Sequence, residues 1–124
     1  MKKFTLIFRT SQIAGNQPSA EQMKSYMDSW MKWINDLSEK GKLAEIGNSF
    51  SPTEGRVLKS GDEVFDGIYE SNGPSLAGYI VISADDLEEA TSLAKGCPML
   101  QASNNSVEIR LNNTTQEMKE SKTS

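Results

Sequence analysis

Apolar and polar residues alternate from Lys3 to Arg9, with Phe4, Leu6 and Phe8 set against Thr5, Ile7 and Arg9. This predicts a strand with one well-buried face and one mixed face. After a Gly-Asn-Gln-Pro loop at 15–18, Ser19 and Gln22 have the spacing of a capping box, in which each side chain satisfies a free backbone N–H at a helix start. Met23, Met27, Trp30, Ile34 and Leu37 then recur at three- and four-residue steps, with Tyr26 and Trp33 widening the stripe. The spacing predicts a long helix that turns this stripe to the core and stops at Gly41.

Leu43 to Phe50 reads as a short strand entering a loop at Ser51-Pro52, and Arg56–Lys59 is expected to pair with Glu63–Phe65 across the turn Ser60-Gly61-Asp62. Leu76 to Ser83 is nearly continuous in apolar character, as expected of a strand buried on both faces, with close backbone approach at Gly78. Asp85 and Glu88 are expected to start a second helix that carries Leu87, Ala90, Leu93 and Ala94 inward and ends at Gly96 and Pro98. Val107, Ile109 and Leu111 alternate with Glu108 and Arg110 as a last strand, and 113–124 reads as a polar, disordered tail after one domain over 1–112.

The order predicts an α+β domain of ferredoxin-like β-α-β-β-α-β type with an added hairpin. Both helices cover one sheet face. Ile7, Ile80 and Ile82 or their neighbours on the other face then need a cover, and a second copy packed sheet to sheet, a homodimer, is the simplest one.

Composition narrows the function classes. A chain of 124 residues with a net charge of −4 and mixed signs has no concentrated basic face for nucleic acid. The apolar run Phe4 to Phe8 after Lys2-Lys3 is too short for a signal peptide or membrane span, and one cysteine makes no internal disulfide. A cytoplasmic protein without membrane contact is expected. There is no histidine, which excludes Ser-His and Cys-His nucleophiles, a histidine general base and a His-rich zinc site. Carboxylates, tyrosines, lysines and Cys97 remain for acid-base work, and no cofactor is expected.

Asp66-Gly67, Tyr69 and Leu76-Ala77-Gly78-Tyr79 fall on the pattern Asp-Gly-Pro-Phe followed by Leu-Gly-Gly-Tyr. The chain thereby resembles the YCII-related (DGPF domain) proteins. Trp30-x-x-Trp33, Gly41-Lys42-Leu43, Leu93 to Pro98 and Val107-Glu108-Ile109-Arg110 extend the resemblance from Lys3 to about Asn112. The resemblance implies a dimeric α+β barrel with a cleft near the DGPF-like turn. In the chlorine-eliminating branch it implies a His-Asp pair, but here Trp30 stands at the histidine position and Cys97 at the aspartate position, so that mechanism does not carry over. The Lys-Glu pair usual in the motif is replaced by Gly73-Pro74.

Asp66 has two readings, a carboxylate projecting into a cleft or one bonding its own turn. Arg110, opposite Val107, Ile109 and Leu111 by alternation, either binds a small anion or pairs with Asp66 or Glu108, and Arg9 shares this divided reading. Asn48, Phe50, Tyr69 and Tyr79 are candidate pocket walls or packing residues. Cys97 at a helix C-terminus reads as an inert, packed thiol, and Asp85, Asp86, Glu88 and Glu89 as helix-start acids instead of a metal site. The expected function is binding of a small polar or anionic organic molecule near the DGPF-like turn. A lyase or isomerase using a carboxylate or tyrosine, and a non-catalytic interaction or regulatory protein, are the alternatives.

Overall fold

The N-terminal alternation forms the strand it predicts. In a computed structural model that describes residues 1–10, 19–69, 75–102 and 104–114, β1 (Lys2–Thr10) buries Phe4, Leu6 and Phe8. Helix α1 (Ala20–Glu39) starts at the predicted capping box: the Gln22 backbone N–H donates to Ser19 Oγ at 3.1 Å, and the Ser19 N–H donates to Gln22 Oε1 at 2.9 Å. It stops at Gly41, whose φ of +69° lets the Gly41 and Lys42 N–H groups return to the carbonyls of Ser38 and Leu37. This is a Schellman closure, which favours glycine because a Cβ resists that backbone conformation.

β2 (Leu43–Ser49), the hairpin β3 (Arg56–Lys59) and β4 (Glu63–Asp66), β5 (Ser75–Ala84), α2 (Leu87–Ala94), a 3-10 turn at Pro98–Gln101 and β6 (Ser106–Leu111) complete the order. Four strands form one antiparallel sheet in the order β2-β5-β1-β6, and β3 pairs only with β4 in a second sheet. Leu6, Ile80 and Ile82 form the most deeply buried part of the sheet's core face, against Trp33, Ile34 and Leu37 of α1 and Ala90 and Ala94 of α2. Burying side chains of this size stabilises the fold by roughly 1.5–3 kcal/mol each.

The fold is α+β with two open sheets, which corrects the expected dimeric α+β barrel and the homodimer argued with it. The larger sheet ends in edge strands β2 and β6, which do not pair with each other. A sheet-to-sheet partner also lacks the uncovered isoleucines it was expected to cover. Ile80 and Ile82 point to the helix side and are already buried within the chain. By register, the opposite face carries Thr5, Arg9, Glu108 and Arg110 around Ile7 and Tyr79, and Val81 there is only 4% exposed in the single chain. A face of this polarity does not demand an apolar cover.

Two smaller corrections concern α2. Its N-cap is Asp86, one residue later than expected, with Asp86 Oδ1 accepting from the Glu89 N–H at 2.8 Å. Glu89 in turn accepts from the Asp85 N–H and from Lys42 Nζ. With the start shifted, Leu87 faces solvent while Ala90 and Ala94 are buried. The 15–18 loop, Gly73-Pro74 and most of the polar tail lie outside the described residues.

Candidate functional site

Helix α1 buries only its C-terminal half. Trp33, Ile34 and Leu37 are buried, whereas Met23, Tyr26 and Met27 on the same stripe remain exposed and Trp30 is half-buried. The stripe predicted as continuous core therefore divides. Its first two turns stand over the end of the sheet and leave a cleft of about 700 Å³.

The cleft's far wall is Phe8 and Thr10 of β1, residues 46–49 of β2 and residues 77–80 of β5, with Met99, Ala102 and Asn105 closing one end. Backbone geometry makes this wall. β2 carries two register irregularities against β5, and at Gly47 the φ is +63°. Gly78 lets the strands approach, since a Cβ there would lie 2.5 Å from the Asn48 carbonyl oxygen. The close approach expected at Gly78 is thus a feature of the cleft wall.

The wall contains no Asp, Glu, Lys or Arg among the described residues. Its polar groups are amides, hydroxyls and the Tyr26 phenol. Asn105 is held in one orientation: its Oδ1 accepts from Thr10 Oγ1 at 2.8 Å, and its Nδ2 donates to the Met99 carbonyl at 3.1 Å. One Nδ2 hydrogen is left over by that arrangement. The aromatic side is pre-packed, with Tyr26 stacked on Trp30 at 6.4 Å and Trp30 edge-on to Phe8 at 5.2 Å. Partial burial, followed by the nearby Cys97, pushes the Tyr26 phenol above its ordinary pKa, so it enters the cleft at neutral pH as a protonated hydrogen-bond donor.

The sequence-predicted residues separate into three places. Asn48 and Tyr79 border the cleft, but Tyr79 pairs with Ile7, so by register its ring lies on the opposite sheet face, 6.1 Å from Phe50. Asp66 and Tyr69 lie at and just beyond the exposed hairpin. Asp66 Oδ1 accepts from Arg56 Nε at 2.9 Å across the strand pair, and Lys59 Nζ stands 5.8 Å from the Tyr69 ring centroid. Arg9 and Arg110 are on the opposite sheet face, both bound to Glu108, at 2.6 and 3.3 Å. The bond from Arg9 first, and then that from Arg110, holds Glu108 below the usual carboxylate range. Arg110 thus pairs with Glu108 and not with Asp66.

Trp30, which stands at the histidine position of the pair that does not carry over, lies midway along α1, and Cys97, at the aspartate position, lies just after α2. Trp30 is a cleft wall, and Cys97 is buried in the core with its thiol pushed up to about 11 by burial. Burial dominates, with the helix C-terminus no longer needed to explain an inert thiol. No cluster of three His, Cys, Asp or Glu side chains is placed to hold a metal among the described residues. No helix among them is long and apolar enough to cross a membrane.

Tyr26, Met23 and Met27 were visible in sequence as a stripe but not as a cleft, because periodicity shows which side chains share a face and not whether that face meets a partner. Asn105, in a run of Ser and Asn, carried no signal. No curated protein matches the chain. The YCII-related domain matches residues 8–112, from the last buried phenylalanine of β1 to just beyond β6, and the chain belongs to that family.

Proposed function

We propose that the protein binds one small organic molecule in the cleft between the first two turns of α1 and the sheet. The observation that carries this reading is the uncovered apolar stripe Met23, Tyr26, Met27 and Trp30 facing a recess with a few fixed polar groups. Concave, mostly apolar recesses with sparse oriented polar atoms are the usual form of small-molecule sites. Three methionines in the wall, Met23, Met27 and Met99, provide adaptable apolar contact.

The position of the recess differs from the expected one. The site is at the α1–sheet cleft and is bordered by Asn48 and Tyr79, while Asp66, Tyr69, Arg9 and Arg110 are engaged elsewhere. With Asp66 held in a hairpin ion pair, the wall offers no carboxylate for proton transfer among the described residues, which favours binding over the lyase or isomerase reading.

A thermal-shift screen of small organic molecules tests this. A ligand that binds only the folded state raises the melting temperature in step with the logarithm of its concentration. The expected hit loses its shift in Met27→Trp, which fills the recess from a half-exposed helix position. A hit whose shift is unchanged in that variant would place binding elsewhere and overturn the proposal.

A further inference from the structure

Granting that this cleft is the binding site, we infer that its ligand is uncharged and largely apolar, and that the cleft discriminates against anionic counterparts of the same shape. Three observations carry the inference. No described side chain of the wall is charged. The arginines, the usual partners of an anion, are committed elsewhere: Arg9 and Arg110 to Glu108 on the opposite sheet face and Arg56 to Asp66 on the hairpin, while Lys42 pairs with Glu89 beside α2. The remaining polar groups satisfy neutral partners, with Asn105 locked by Thr10 and the Met99 carbonyl and Tyr26 in its protonated form.

Desolvation separates neutral from charged ligands in such a recess. A neutral ring or alkyl body entering between Trp30, Met27 and Phe8 leaves water at little cost and gains apolar contact. An ionised ligand entering the same recess gives up its hydration and meets no counter-charge among the described side chains of the wall. Burying an unpaired charge is far costlier than burying a neutral polar group, so the anionic form of a given skeleton binds about tenfold or more weakly. For a weak-acid ligand, affinity follows the neutral fraction and declines as pH rises through the ligand's own pKa.

Two dyes with one skeleton make the comparison: N-phenyl-1-naphthylamine, which is neutral, and 8-anilino-1-naphthalenesulfonate, which adds a sulfonate. Both are titrated by fluorescence against the full chain at about 0.15 M salt, where the net charge of −4 is screened beyond about 8 Å. Met27→Trp and Met23→Trp each narrow the cleft, and circular dichroism checks that they fold. Leu58→Ser removes exposed apolar surface from the hairpin instead.

The expected result is saturable binding of the neutral dye, about tenfold or more tighter than the sulfonate, weakened by either tryptophan variant and indifferent to Leu58→Ser. If the sulfonate binds as tightly or more tightly, and both dyes respond to the tryptophan variants, the cleft is a binding site but the inferred ligand class is wrong. If neither dye responds to the tryptophan variants, the cleft reading itself fails.

Discussion

The backbone of Gly47 runs so close to the carbonyl of Tyr79 that a Cβ at position 47 would lie 1.9 Å from that oxygen. Gly47 also has a φ of +63°, a conformation that side chains with a Cβ resist. Gly47→Ala therefore suffers both strain and a collision with backbone that cannot rotate away. A loss of about 3 kcal/mol or more is expected from the two effects together. Gly78→Ala meets the Asn48 carbonyl at 2.5 Å without a positive φ, and should lose less, about 2 kcal/mol. Urea unfolding of both variants checks the order; equal stability to wild type in either would contradict the close approach of β2 and β5.

Trp33 ties α1 to the end of α2. Its indole Nε1–H donates to the Leu93 carbonyl at 3.1 Å, and a Cβ at Gly96 would stand 3.0 Å from the same ring. Trp33→Phe loses the bond and some buried volume, at about 1–2 kcal/mol. Gly96→Ala crowds the indole, so the two changes should couple: alanine at 96 is expected to cost less in the Trp33→Phe background than in wild type. A double-mutant cycle by denaturant unfolding that gave strict additivity would show that ring and glycine do not press on each other.

Much of the fold was legible because its signals are local. Ser19, Gln22 and Gly41 mark the ends of α1 through hydrogen bonds made within a few residues, and Phe4, Leu6 and Phe8 give β1 by alternation alone. The misreadings arose where a face had to be matched with its partner. Ile80 and Ile82 share a face with Phe4 and Leu6 through the register of β1 with β5, a pairing of segments more than seventy residues apart that no local pattern marks. The same ignorance of facing surfaces turned the Met23-Tyr26-Met27 stripe into predicted core. For the candidate site, charged residues beside a family motif drew attention to Asp66 and Arg110, whereas the wall of the cleft is made by neutral residues such as Asn105, fixed only by contacts with distant Thr10.

Glu108 gives the acid limb of stability a recognisable contributor. Arg9 and Arg110 lower its pKa in the folded chain, so its contribution is present above the unfolded value near 4.5 and is lost as pH falls through the depressed folded value. Both partners are substantially exposed, and salt should reduce the effect. Glu108→Gln is expected to flatten the loss of stability below pH 4.5 relative to wild type, with little change in cleft binding because the pair lies on the opposite face. Parallel acid titrations of the two proteins, followed by circular dichroism, provide the measurement; identical acid limbs would dismiss the pair as a contributor.

Cys97 supplies a prediction at the opposite end of the pH scale. Burial raises its thiol from 9.0 to about 11, so between these values the unfolded chain releases a proton that the folded chain retains. The unfolded state then binds fewer protons than the native state, and stability must fall as pH rises through this window. Well below pH 9, near neutrality, the thiol is neutral in both states and contributes no slope. Tyr26, whose phenol is also raised, adds a component of the same sign above its ordinary value of 10.0. Cys97→Ala removes the thiol component and also the smaller part of the Tyr26 rise that Cys97 causes, leaving the part due to burial, so the alkaline decline in unfolding free energy should become shallower and begin at a higher pH. The same burial makes the thiol unreactive toward a chromogenic disulfide at pH 8 until the chain unfolds. Rapid modification of the folded protein, or an unchanged alkaline slope in Cys97→Ala, would mean that the thiol is accessible to solvent and that the junction of α2 with the 3-10 turn opens readily.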